Sequence, residues 1–114
     1  MAAGIATLEE LRKPGRYAEL ERKGQLLSDG IERVLHEIGD TIQCVRIGAI
    51  FCLFFTAKQV IDFNSAKTSD TQRFARFFWS MLKSGVYLPP SQFEGCFISL
   101  ALEDKMIEGT VEAA

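Results

Sequence analysis

Six apolar residues in a row, Ile50-Phe51-Cys52-Leu53-Phe54-Phe55, constrain this chain more than any other stretch. Read as a strand, Ile50, Cys52 and Phe54 point to one side while Phe51, Leu53 and Phe55 point to the other, so both faces are apolar. A small antiparallel sheet ordinarily keeps one face wet and alternates apolar with polar. Two dry faces demand cover on both sides, more protein than a few helices supply. The apolar run Ile47 to Phe55 is too short for a membrane span, which takes roughly 20 residues. The strand spans Ala49 to Thr56 and pairs with Ile42 to Arg46 in a hairpin that turns at Ile47-Gly48, where glycine permits a tight turn or bulge.

Helical spacing fills most of the remainder. Ile5, Leu8 and Leu11 mark a first face with no capping residue ahead of it, as in a helix cut at its start, and Pro14-Gly15 ends it. Tyr17, Leu20, Gly24, Leu27, Ile31, Val34 and Ile38 then alternate by three and four, predicting a long helix closed by Gly39. With Gly24 in the stripe and only about three heptads, a helix laid across a sheet is favoured over a coiled coil. A polar loop through Asn64-Ser65-Ala66-Lys67 leads to Ser69-Asp70-Thr71-Gln72, where Ser69 has capping-box spacing for a helix from Asp70 to Lys83. Its expected buried face is Phe74, Phe77, Phe78, Met81 and Leu82, with Trp79 on the flank and Arg73 and Arg76 in solvent. Val86 to Leu88 and Cys96 to Ala101 read as short strands around Pro89-Pro90, and Glu103 to Val111 as a closing helix with Ile107, Val111 and Met106 inward. The order implies an α+β domain, a small antiparallel sheet packed by helices.

Composition narrows function mainly by exclusion. A formal net charge of −2, with basic residues scattered among acidic ones, leaves no electrostatic footprint for nucleic acid or a membrane surface. The start shows no secretory signal, and Cys44, Cys52 and Cys96, odd in number and set in apolar sequence, read as reduced, buried thiols of a cytoplasmic protein rather than metal ligands. No GxGxxG, P-loop, GxSxG or HExxH pattern occurs. His36 beside Glu37 reads as solvated. Glu94, flanked by Phe93, Gly95, Cys96 and Phe97, is either a solvated loop acid or one placed beside a ligand bound outside its own segment. Pairing it with Cys96 as an activated nucleophile fails chemically, because a carboxylate raises a thiol pKa.

Three segments together resemble the C-terminal part of the glutamate-1-semialdehyde aminomutase family. They are Ala2-Ala3-Gly4-Ile5-Ala6-Thr7-Leu8, the run Ser69-Asp70-Thr71 leading into Phe74-Ala75-Arg76-Phe77, and Gly85-Val86-Tyr87-Leu88-Pro89-Pro90-Ser91-Gln92-Phe93-Glu94. Related class III aminotransferases commonly carry an arginine in the strand after this loop, and Cys96-Phe97-Ile98-Ser99-Leu100 has none. The resemblance implies that residues 1–114 form the small domain of a fold-type-I pyridoxal phosphate enzyme, with residues 1–14 ending a linking helix and a large cofactor-binding domain outside the chain. It further implies a homodimer that isomerises glutamate-1-semialdehyde to 5-aminolevulinate in tetrapyrrole synthesis. Glu94 is the expected catalytic residue, acting on the substrate's amino groups, with Ser91 and Phe93 lining the substrate pocket. No lysine here matches the family's cofactor lysine, so no residue is expected to bind the cofactor and the chain alone is expected to be inactive. Leu102-Glu103 departs from a customary histidine and small polar residue and removes a cap from the last helix. The same small domain from another class III aminotransferase, or a free-standing interaction module pairing through its apolar sheet face, are the competing readings.

Overall fold

The break at Pro14-Gly15 separates two helices, α1 over Ala2–Leu11 and α2 over Arg16–Glu37, in the computed structural model, which describes residues 1–114 throughout. α1 has no side-chain cap and buries no residue. On α2 the buried positions are Lys23, Gly24, Leu27, Ser28, Gly30, Ile31 and Leu35, whereas Tyr17 and Ile38, at the ends of the expected stripe, are exposed. The reason is geometric: alternating threes and fours repeat every 3.5 residues, a straight helix turns every 3.6, and the stripe slides about 20° per heptad. Only its middle stays on the contact face.

β1 (Gln43–Ile47) and β2 (Ile50–Phe54) form the expected antiparallel hairpin. Ile47 faces Ile50, so the turn is Gly48-Ala49, one residue later than the sequence suggests, with Gly48 at φ 58°. Such a left-handed value is one that glycine adopts without a Cβ penalty. β3 is only Cys96–Phe97, antiparallel to β2, and the sheet order is β1-β2-β3. The expected strand to Ala101 is cut short because Ser99 turns the chain, its carbonyl accepting from the Leu102 amide and its hydroxyl from the Ala101 amide. Val86 to Leu88 forms no strand at all. The Val86 amide still bonds back to the Met81 carbonyl, and Pro89-Pro90 has no N–H to give a ladder.

The supposed polar loop holds a short helix, α3 (Phe63–Ala66), closed by a reciprocal cap between Asp62 and Ser65. α4 covers Thr71–Lys83, and its cap is Asp70, which accepts from the amides of Gln72 and Arg73. Ser69, expected in that role, is buried with its hydroxyl unpartnered. Asp70 wins because its charged oxygen suits the positive end of the helix, and its own amide is pinned to the Phe55 carbonyl at the end of β2. Arg73 is not free in solvent; it pairs with Asp40 and lies 5.5 Å over the Phe55 ring. α5 (Asp104–Ala113) starts at Glu103 with no side-chain cap, buries Ile107 and leaves Met106 exposed.

One core joins these elements. Leu27, Ile31 and Leu35 of α2, Phe74, Phe77, Phe78 and Met81 of α4, and Ile107 of α5 close over Phe51 and Leu53, the inner face of β2, with Phe55 just beyond it. The alternation expected of β2 holds, yet full cover arrives on one side only, and Phe54, 7% exposed, is the single buried strand residue of the outer side. On that side Val45, Ile47, Ile50 and Phe97 remain exposed. Strand register puts Val45 opposite Cys52, Ile47 opposite Ile50, and Ile50 opposite Phe97, so these residues form one continuous apolar outer face.

Candidate functional site

The loop between α4 and β3 ends on this outer face. Leu88 anchors one side of the loop in the core and Ile98 the other, where its amide donates to the Ala49 carbonyl at 2.9 Å. Between them the backbone folds on itself: the Ser91 hydroxyl accepts from the Phe93 amide at 3.2 Å, and the Ser91 carbonyl accepts from the Glu94 amide at 3.1 Å. The Cys52 thiol donates to the Glu94 carbonyl at 3.4 Å, tying this turn to the outer side of β2. Gly95 has little room for a side chain, since a Cβ there would stand 3.1 Å from Ile50 Cγ2.

Ser91, Phe93 and Glu94 are therefore brought together, as neighbours in one pinned turn. Phe93 meets Phe63 of α3 edge-on, ring centres 6.1 Å apart. Glu94 is exposed, and its carboxylate has neither a hydrogen bond nor an ion pair within the chain. Gln92 turns inward, 3% exposed, with neither amide atom partnered. Sequence reasoning missed Cys52 and Phe63, because only the register of β2 against the loop, and the existence of α3, place them here. Alternation alone had put Cys52 on the outer face.

What this arrangement can do is set by the acid. An unpaired carboxylate carried on a pinned turn at the margin of an apolar face can attract a cation or exchange a proton with a group arriving from outside the chain. Nucleophilic chemistry finds no support: burial pushes the Cys44 thiol up to about 12 and the Cys96 thiol to about 11, with Cys52 and Glu94 adding to the latter, and burial raises Cys52 too. All three cysteines are free thiols, and no group of three or more His, Cys, Asp or Glu side chains could hold a metal. His36 is exposed on α2. No helix is long and apolar enough to cross a membrane.

A pyridoxal phosphate site needs a free lysine, an acid for the pyridine nitrogen and a phosphate cradle. These residues do not fit that set. Lys23, the one buried lysine, gives its ammonium to the carbonyls of Leu100 and Leu102, Lys13 pairs with Glu10, Lys67 lies over the Phe63 ring, and Lys58, Lys83 and Lys105 stand exposed.

No family model matches the chain. It is 50% identical, over all 114 residues, to the glutamate-1-semialdehyde 2,1-aminomutase of Desulfosudis oleivorans, of which it covers 27%. The 2,1-aminomutase 2 of Brevibacillus brevis is 47% identical over the same 114 residues, again 27% of its length. Among solved structures, an omega-transaminase from Sphaerobacter thermophilus superposes with a TM-score of 0.85 at 23% identity, over 97% of this chain and 25% of that one. The chain thus spans about a quarter of the length of the curated relatives it matches. Its small antiparallel sheet with helices has the fold of part of a transaminase, and its sequence is similar throughout to part of an aminomutase, as the three segments suggested.

Proposed function

From that similarity, we propose that the chain serves as the small domain of an enzyme that isomerises glutamate-1-semialdehyde to 5-aminolevulinate. The observation that carries this reading is the match at about half identity over the whole chain to aminomutases. The Glu94 turn supports it by offering an unpaired acid at the edge of an uncovered face. In the assembled enzyme, pyridoxal phosphate supplies the electron sink and is held entirely by residues outside this chain. Glu94 attracts and positions the substrate's amino groups, while Ser91 and Phe93 bound the pocket beside it. The whole enzyme works as a cytoplasmic homodimer in tetrapyrrole synthesis. The strand after the loop has no arginine to hold a substrate carboxylate, which favours the aminomutase over other aminotransferases.

A chimera tests it: the Desulfosudis oleivorans enzyme with its matching segment replaced by this chain. It should form 5-aminolevulinate from glutamate-1-semialdehyde. Glu94→Gln in that chimera should keep the melting temperature and lower turnover by about 10²-fold, the usual weight of a positioned acid or base. A folded, cofactor-loaded chimera with no isomerase activity refutes the function. Unchanged kinetics in Glu94→Gln would return this residue to the role of a solvated loop acid.

A further inference from the structure

Residues Pro89 to Gly95, between the Leu88 anchor and β3, carry the Glu94 acid with few ties to the rest of the chain. Two hydrogen bonds lie within the stretch, the Phe93 amide to the Ser91 hydroxyl and the Glu94 amide to the Ser91 carbonyl, and both are local. Gln92 is 3% exposed but neither of its amide atoms has a partner, so it holds by packing alone. A single hydrogen bond reaches these residues from another segment, from the Cys52 thiol to the Glu94 carbonyl at 3.4 Å.

The strand behind that thiol is the best-fixed part of the sheet. β2 is central, paired on both edges, and Cys52 stands between Phe51 and Leu53, which are buried in the core. The bond is made to a main-chain oxygen, so it fixes the backbone of Glu94 and leaves the carboxylate unpaired. Burial raises the Cys52 pKa above the usual thiol value, which keeps the donated proton in place at neutral pH.

We propose that Cys52 is a positioning residue, whose thiol holds the Glu94 backbone so that the carboxylate stands at a set place before the substrate's amino groups. The inference rests on the catalytic reading of Glu94 and adds the group that aims it. A thiol is a weak donor. A misplacement of about 1 Å can nevertheless cost on the order of 10²-fold in rate, so a weak tie that decides position counts for more than its own strength.

In the chimera, Cys52→Ala should lower turnover by about 10-fold, and Cys52→Ser, which keeps a hydrogen-bond donor there, should recover most of the loss. The deciding variant combines Cys52→Ala with Glu94→Gln, because a residue that acts only through Glu94 adds no further loss once that acid is gone. Losses that multiply in the double variant overturn the inference. So does parental turnover in Cys52→Ala, or a serine variant as slow as the alanine one. Both single variants should keep the melting temperature within about 4 °C of the parent. Where Cys52→Ala does not fold in the chimera, the contrast is read in the purified 114-residue protein. There the Phe93 and Glu94 amides should exchange faster in Cys52→Ala and return toward the parent in Cys52→Ser, and unchanged exchange overturns the inference. The two readings fail separately: a silent Glu94→Gln removes the role of the acid and the positioning role with it, whereas a slow Glu94→Gln beside a parental Cys52→Ala removes only that of the thiol.

Discussion

Gly24 and Gly30 sit about one and two-thirds helical turns apart on α2, and the structure distinguishes what each tolerates. A Cβ on Gly24 would lie 2.6 Å from the carbonyl oxygen of Gly48, a backbone atom at the turn of the hairpin, so α2 would have to lift off the sheet. A Cβ on Gly30 would meet Val111 Cγ2 at 2.5 Å, a side chain in the last turn of α5 that can rotate or slide. Alanine gains about 1 kcal/mol over glycine in a helix interior. Gly24→Ala should nevertheless destabilise the protein by about 1–3 kcal/mol, the usual cost of overpacking, whereas Gly30→Ala should fall near neutral. Urea midpoints of the two variants decide it; equal losses would mean that the hairpin yields as easily as α5. Gly24 was legible as a member of the apolar stripe, but its reason was not, since the crossing with Gly48 is a contact between residues distant in sequence. Glu94 shows the same division. Its isolation among apolar neighbours was plain in the sequence, while the thiol that holds its carbonyl sits 42 positions away.

At the level of elements, the uncapped start of α5 is compensated from α2. Glu103 provides no side-chain cap, but Arg22 donates to Asp104 in the first turn at 2.7 Å, and Lys23 holds the carbonyls of Leu100 and Leu102 just ahead of it. Arg22 also grips Glu19 through two nitrogens, at 2.9 and 2.8 Å, and these hydrogen bonds are the main reason that the Glu19 carboxyl lies at about 2 rather than 4.5. A depressed folded-state value contributes stability fully above the unfolded pKa and loses it as pH falls toward the folded one. The contribution of this pair should therefore be intact at pH 7 and fade from about pH 4.5 down to about 2. Glu19→Gln should be less stable than the parent at neutral pH and converge with it in acid, by urea midpoints at pH 7, 4.5 and 3. Both side chains are partly exposed, so the effect should shrink in high salt. Parallel curves at all three pH values would show the pair to be idle. Helices with long apolar faces were readable because period and length agree. α3 was not, since four residues show no period and its signal was only the Asp62–Ser65 cap. The strand at Cys96 was readable, but its early end was not, because Ser99, not hydrophobicity, decides where pairing stops.

The shape of the whole molecule records what lies uncovered. A compact chain of this length has a radius of gyration of about 13 Å, whereas this one has 14.9 Å with extents of 41 × 31 × 23 Å. Part of the excess comes from α1, whose ten residues include none that is buried and whose Ile5 and Leu8 are 55% and 60% exposed. Isolated helices below roughly 12–15 residues are marginal in water, and the ion pairs that tie α1 to the chain after it, Glu10 with Lys13 and Arg16, are exposed. Exposed pairs of this kind contribute about 0–1 kcal/mol. Residues 1–14 should accordingly be dispensable to the stability of the isolated protein: their deletion should move the melting temperature by no more than about 2 °C, and amides of α1 should exchange with solvent far faster than those around Leu27 and Ile31. In the chimera the same stretch gains a neighbour, and slow exchange there alone would show that its apolar face is shaped for the larger body. Slow exchange in α1 of the isolated protein, or a large loss of stability on deletion, would mean that the small domain owns this helix. The reading of residues 1–14 as the end of a connecting element would then give way to one in which they belong to its fold.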